Sequence, residues 1–171
     1  MKAFYDHKFA ITGHTSGIGN AIYEELNCIG FSRSNGYDIK LPKCRKEITQ
    51  QLSHDRIDVF INNAHGGFAQ AEMLKDVFDV WRYTDKHIIN IGADKVDVRT
   101  WELVHETYSV EKLASHAMCD QLQSLKRECK ITNLCLGIVE NWDGSLTYKN
   151  IINAVEYIVK ANFEISRMNI K

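Results

Sequence analysis

The sequence predicts a single-domain α/β fold built on a parallel sheet, and three features carry that prediction. The chain has 171 residues, a length that one hydrophobic core can stabilise. Short apolar runs alternate with helical stretches along it, the pattern of βα units. A glycine-rich turn joins the first apolar run to the first helical stretch.

Lys8 to Thr12 reads as the first strand, ending at Gly13. Gly17 to Leu26 reads as a helix, because Ile18, Ile22 and Leu26 recur at spacings of four on one face. Cys28 to Ser32 reads as a second strand, Arg33 to Gly36 as a turn, and Tyr37 to Ile39 as the stub of a third strand. Pro42, the sole proline, stands where a helix over Lys43 to Leu52 would begin. Asp58 to Ile61 is a buried type of strand that runs into Asn62-Asn63-Ala64-His65-Gly66-Gly67. The pattern then gives a helix over Phe68 to Tyr83, a strand over His87 to Ile91 and a helical region from Thr100 to Glu128. A strand over Lys130 to Leu136, a helix over Lys149 to Asn162 and a terminal strand over Ile165 to Ile170 complete the order. No repeat, linker or low-complexity segment divides residues 1–171, so the chain reads as one unit.

Composition narrows the function. The chain carries 21 basic and 22 acidic side chains with no run of like charge, which gives nucleic acid or an anionic membrane no electrostatic footprint. Small molecules and other proteins are the partners left. The five cysteines are scattered and never spaced as Cys-x-x-Cys, so buried or free thiols are expected rather than disulfides or a zinc site. Met1 to Ala10 lacks the apolar core of a signal peptide, and no later run reaches the length of a membrane span. A cytoplasmic protein is the expectation.

The turn Thr12-Gly13-His14-Thr15-Ser16-Gly17-Ile18-Gly19 suits a phosphate group. Gly13 lets the chain turn off the strand, Gly17 lets backbone approach a pyrophosphate, and Gly19 lets the helix pack closely on the sheet. The helix start adds unpaired N–H groups and a positive dipole end, with Thr15, Ser16 and Ile18 beside them.

Thr-Gly-x-x-x-Gly-Ile-Gly resembles the cofactor motif of the short-chain dehydrogenase/reductase family. Asn62-Asn63-Ala64 followed by Gly66 resembles that family's Asn-Asn-Ala-Gly, with His65 intervening, and Tyr108 and Lys112 match its Tyr-x-x-x-Lys. Leu136-Gly137-Ile138-Val139 stands where members carry Pro-Gly-x-Val. The motifs fall in family order over nearly the whole chain, so the sequence resembles a shortened, divergent member. The resemblance implies a Rossmann-like, doubly wound parallel sheet of about seven strands. It also implies an NAD(P)-binding cleft touched by Asn63, Ala64, Gly66 and Ile138, with Asp38 and Ile39 beside the adenine.

Ser32-Arg33-Ser34 follows the second strand where an acidic residue would favour NAD(H). A guanidinium flanked by hydroxyls suits a 2′-phosphate, so Arg33 and Ser34 favour NADP(H) over NAD(H).

Tyr108 and Lys112 share one helical face. An ammonium near a phenol favours the phenolate, which makes tyrosine a usable acid/base near neutrality. The resemblance implies that Tyr108 exchanges the proton with the substrate oxygen, while Lys112 lowers its pKa and holds the nicotinamide ribose. No metal site is expected. His14 and His65 stand near the cleft with no third ligand placed by spacing.

The sequence departs from the family in three places. Ala93 or a neighbour stands where a carbonyl-polarising serine is usual, and neither Thr100 nor Ser109 inherits the role by position. Phe68 to Lys86 holds no asparagine and leaves room for one helix where relatives have two. Glu140 to Tyr148 is short for a lid. Trp81 and Trp101 read as packing residues, and Trp142 as a candidate for the substrate pocket. Leu113, Ala117 and Leu122 suit either a dimer seam, in a homo-oligomer, or burial within one chain.

Three functions remain in order. The first is a reductase or dehydrogenase of a small carbonyl or alcohol substrate. The second is a regulatory NAD(P)-binding protein with weakened catalysis. An epimerase or dehydratase comes last, because the chain is too short for the substrate domain of that branch.

Overall fold

The computed structural model describes residues 3–94, 107–139 and 145–171. Six strands form one sheet: β1 (Phe9–Thr12), β2 (Ile29–Phe31), β3 (Val59–Asn62), β4 (His87–Ala93), β5 (Lys130–Leu136) and β6 (Arg167–Ile170). Their spatial order is β2-β1-β3-β4-β5-β6, and every neighbouring pair is parallel. Five helices cover the sheet: α1 (Gly17–Leu26), α2 (Pro42–His54), α3 (Ala69–Trp81), α4 (Tyr108–Gln123) and α5 (Tyr148–Lys160).

Strand alternation separates two cores. Phe9, Ile11, Val59, Ile61, Ile89, Ile91 and Leu134 point toward α1 and α5, where Ile22, Leu26, Ile151, Val155 and Ile158 meet them. Ala10, Phe60, Ile88 and Ile131 point the other way, against Ile48, Leu52, Leu74, Phe78, Trp81, Cys119 and Leu122. A parallel sheet buried on both faces needs apolar strand runs of this kind. The doubly wound, Rossmann-like arrangement follows from these two layers. Among the described residues no helix is long and apolar enough to cross a membrane, and all five cysteines are buried free thiols.

The helix boundaries obey local chemistry. Pro42 occupies the first turn of α2, where its missing N–H costs nothing. Thr147 caps α5 by accepting the Asn150 N–H, and the Asn150 side chain answers on the Thr147 backbone. Asn27, at φ 48°, turns the chain out of α1 toward β2. The helical region expected from Thr100 is α4 from Tyr108; residues 100–106 lie outside the described part.

One expected element is not there. Tyr37 to Ile39 forms no strand, and among the described residues the sheet has six strands, where about seven were expected. The backbone groups a third strand would use are committed elsewhere. The Tyr37 N–H goes to Ser32 O, the Leu41 N–H goes to Asp38 O, and Arg45 Nη1 donates to Ile39 O at 2.9 Å. The Asp38 carboxylate accepts the Lys40 N–H at 2.9 Å, an Asx turn that folds the segment back.

Candidate cofactor cleft and catalytic face

The chain leaves β1 for β2 on one side and for β3 on the other, so the sheet order switches direction at β1. Ligands of open α/β sheets bind outside the strand ends at such a point. A cavity of about 750 Å³ lies there, walled by the turns after β1, β2 and β3.

The turn after β1 explains its own glycines. Gly13 has φ +74° and Gly17 φ +53°, both in the left-handed region. At Gly19 a Cβ would stand 2.0 Å from Gly13 O and 2.5 Å from Asn63 Nδ2, so only glycine fits. The N-terminus of α1 has no side-chain cap and no acidic residue in its first turn. Its N–H groups and positive dipole end are therefore left for an anion.

Thr12 and Asn63 tie the ends of β1 and β3 together. Thr12 Oγ1 accepts the N–H groups of Asn63 and Ala64, each at 3.0 Å. Asn63 Nδ2 returns a bond to Thr12 O at 3.0 Å and to Gly13 O at 3.3 Å. Asn63 lines the cavity, yet its amide nitrogen is spent on holding the glycine turn.

Most residues expected at the cofactor are brought to this one cavity. Gly13, Thr15, Ser16, Ile18, Gly19, Arg33, Ser34, Asp38, Ile39, Asn63, Ala64 and Gly66 all line it. Gly17, Tyr108, Lys112 and Ile138 do not. Ile138 is exposed, and its carbonyl accepts the Leu146 N–H at 2.8 Å. His14 is packed between Gly30 and Tyr23, its ring 4.8 Å from the Tyr23 ring, and takes no part in the cavity wall. Lys40, Tyr37 and His65 line the cavity in addition. Lys40 escaped the sequence reading because the turn that brings it to the cavity wall depends on the Asp38 side chain. Neither Arg33 nor Lys40 has a carboxylate partner among the described residues.

A buried polar row stands beside the cavity on the α3 and α4 face. Asn62, Asn90 and Asn133 pair in register across β3, β4 and β5. Asn62 Nδ2 donates to Asn90 Oδ1 at 3.0 Å, and Asn90 Nδ2 donates to Asn133 Oδ1 at 3.1 Å. Gln70, in the first turn of α3, donates Nε2 to Asn62 O at 3.0 Å and to Ile91 O at 2.9 Å. These residues were legible in principle: each asparagine interrupts an otherwise apolar strand run, and such a group must find a partner.

Lys112 is claimed by this row. Its Nζ donates to Gln70 Oε1 at 2.9 Å and to Ile91 O at 3.2 Å, and burial lowers its pKa to about 8. It lies 5.9 Å from the centroid of the Tyr108 ring. Burial pushes the Tyr108 phenol above its usual value, with no opposing lysine contribution. Burial is what raises the Tyr108 phenol, while the Lys112 ammonium is held by the Gln70 and Ile91 oxygens.

His65 also meets Tyr108. Its ring centroid is 5.0 Å from that of Tyr108, and its Nε2 lies 3.0 Å from Glu111 Oε2. Burial and the nearby lysines Lys112 and Lys40 lower the His65 pKa, while Glu111 opposes them.

The remaining candidates divide. Ala93 ends β4 and offers only a methyl group, while Ser109 stands next to Tyr108 in the first turn of α4. Trp81 is buried edge-on against Phe60, as a packing residue. Leu122 is core, whereas Leu113 is exposed. Thr100, Trp101 and Trp142 lie outside the described residues, as does most of the short segment after β5. Among the described residues no cluster of ligands could hold a metal.

No family model matches the sequence, and no curated protein matches it. Solved structures do match. An alcohol dehydrogenase from the archaeon Thermococcus sibiricus, complexed with 5-hydroxy-NADP, is 17% identical with a TM-score of 0.72, over 96% of this chain and 96% of that one. A short chain dehydrogenase from Burkholderia cenocepacia in complex with NADP is 14% identical with a TM-score of 0.75, over 99% and 90%. A 3-ketoacyl-(acyl-carrier-protein) reductase from Brucella melitensis, complexed with NADH, is 12% identical with a TM-score of 0.73, over 98% and 98%. The sheet order, the two helical layers and these similarities agree: this chain has the fold of the short-chain dehydrogenases.

Proposed function

We propose that this chain is a divergent member of the short-chain dehydrogenase/reductase family. In this reading it is an NADP(H)-dependent oxidoreductase of a small carbonyl or alcohol substrate, with Tyr108 as the acid/base and Lys112 at the nicotinamide ribose. The observation that carries the reading is the cavity at the switch point. It joins an uncapped α1 N-terminus for the pyrophosphate to two cations, Arg33 and Lys40, in the same cavity wall. The residues present fit the group. The glycine cradle has no room for a side chain at Gly19, and the cations answer a 2′-phosphate in charge.

A nicotinamide bound here supplies or accepts the hydride. The chain's own part is to hold the phosphates by Gly13 to Gly19, to place Asp38 and Ile39 at the adenine and to offer Tyr108 to the substrate oxygen. The solved structures of like fold that carry NADP or NADH support this choice of ligand.

A regulatory cofactor-binding protein is the second reading. It is favoured by the raised phenol of Tyr108 and by a Lys112 engaged with Gln70 and Ile91.

Fluorescence titration tests the ligand. NADPH should bind about tenfold more tightly than NADH, and Arg33→Ala with Lys40→Ala should close most of that gap. Equal affinities before and after the substitutions would remove the NADP(H) preference. Turnover of alcohols and carbonyls, abolished in Tyr108→Phe, separates enzyme from binder.

A further inference from the structure

We propose that His65, oriented by Glu111, is the proton partner of Tyr108. The inference rests on the oxidoreductase reading above and adds a residue to its site. In the resembling motif the residue after Asn-Asn-Ala is glycine; here an imidazole stands at that point. It lines the cavity and meets the Tyr108 ring at 5.0 Å between centroids.

The geometry assigns the tautomer. His65 Nε2 lies 3.0 Å from Glu111 Oε2 and donates its proton there, which leaves Nδ1 as an acceptor. Glu111 is held in place rather than waving in water, since its side chain is only 14% exposed. The left-handed turn at Gly67, φ +66°, brings the loop against it, with Glu111 Oε1 just 3.6 Å from where a Cβ would stand. A base held by a carboxylate on its far nitrogen is the arrangement that orients an imidazole and stabilises its cation.

The need for such a partner follows from Tyr108. Its phenol sits above its ordinary pKa, and Lys112 is committed to Gln70 and Ile91. A tyrosine in that setting exchanges protons efficiently only if a base takes its proton as it receives another. His65 is facing it. The charged and titratable groups around His65 are Glu111, Lys112 and Tyr108 from α4 and Lys40 from the turn after β2. Burial and the two lysines keep the ring neutral near pH 7, the form that accepts a proton.

In alcohol oxidation the substrate O–H bond breaks and its proton passes to Tyr108 Oη. The phenolic proton passes at the same time to His65 Nδ1, and the imidazolium formed is set against the Glu111 carboxylate. A bound oxidised nicotinamide would accept the hydride that the substrate carbon loses as it becomes a carbonyl. After oxidation His65, which is partly exposed, releases the proton to solvent; reduction runs the same transfers backwards, with His65 taking up a proton from solvent.

Two measurements on the whole protein test this. Histidine ¹⁵N NMR should show His65 as the Nε2–H tautomer titrating below 6.5, and lower still in Glu111→Gln. In parallel, kcat for NADP⁺-dependent oxidation of a panel of small alcohols is followed against pH. The wild type should lose rate toward acid at the His65 pKa. His65→Gln should lose that limb and about 10²-fold or more in kcat, and free imidazole should restore part of the rate of His65→Ala. A His65 titration that Glu111→Gln leaves unmoved overturns the proposal. So does a His65→Gln enzyme with unchanged kcat and pH limb, an outcome that leaves the oxidoreductase reading standing. A wild type that binds NADPH and oxidises or reduces none of the panel overturns both.

Discussion

Gly19 and Lys112 show how single residues connect stability to the site. At Gly19 the space for a methyl group is taken by Gly13 O and the Asn63 amide, both from residues that line the cavity. Gly19→Ala should therefore destabilise the fold by about 1–3 kcal/mol and weaken NADPH binding more than tenfold. Urea denaturation and fluorescence titration of the same variant check the two effects. Lys112 makes a different prediction, about pH. Its folded pKa of about 8 lies below the 10.5 of an unperturbed lysine, so between these values the unfolded chain binds more protons than the folded one. Stability should rise through this window, by up to about 1.4 kcal/mol per pH unit, and level off above it. Urea melts from pH 7 to 10.5 should show the rise in the wild type and lose it in Lys112→Met. A fall with increasing pH would mean that Lys112 is stabilised as a cation.

At the scale of elements, periodicity placed nearly every strand and helix within a few residues. Ile18, Ile22 and Leu26 set α1, and the apolar runs around Phe60, Ile89 and Leu134 set the central strands. Tyr37 to Ile39 misled because its apolar ends resemble a strand, while the choice was made by Asp38 and Arg45 bonding the local backbone. Caps carry measurable weight at this scale. Thr147→Ala removes the cap of α5, whose buried face of Ile151, Val155 and Ile158 closes one of the two cores. The loss should be about 1 kcal/mol, or roughly 2–4 °C in Tm, read by thermal denaturation. A variant that melts with the wild type would show that the packing of α5 holds without its cap.

For the whole molecule, the sheet is a rigid platform that gathers three turns, from the ends of β1, β2 and β3, around one cavity. A ligand that bridges these turns binds the folded chain alone and must stabilise all of it. NADPH at about a hundred times its Kd should add about 2.7 kcal/mol, or roughly 5–10 °C in Tm. A melting temperature unmoved by saturating NADPH would remove the cavity from consideration as a cofactor site. By its own residues the chain determines the alternation of strands and helices, the glycine turn, the Asn63-Ala64 corner and the Tyr108/Lys112 spacing, because each depends on neighbours within a few positions. Only the tertiary structure decided that Lys112 bonds Gln70 and Ile91, that three asparagines align across β3, β4 and β5, and that His65 meets Tyr108 and Glu111. Those contacts join residues far apart in the chain. Desolvation and pairing inside the folded core set them, and no local pattern carries that information.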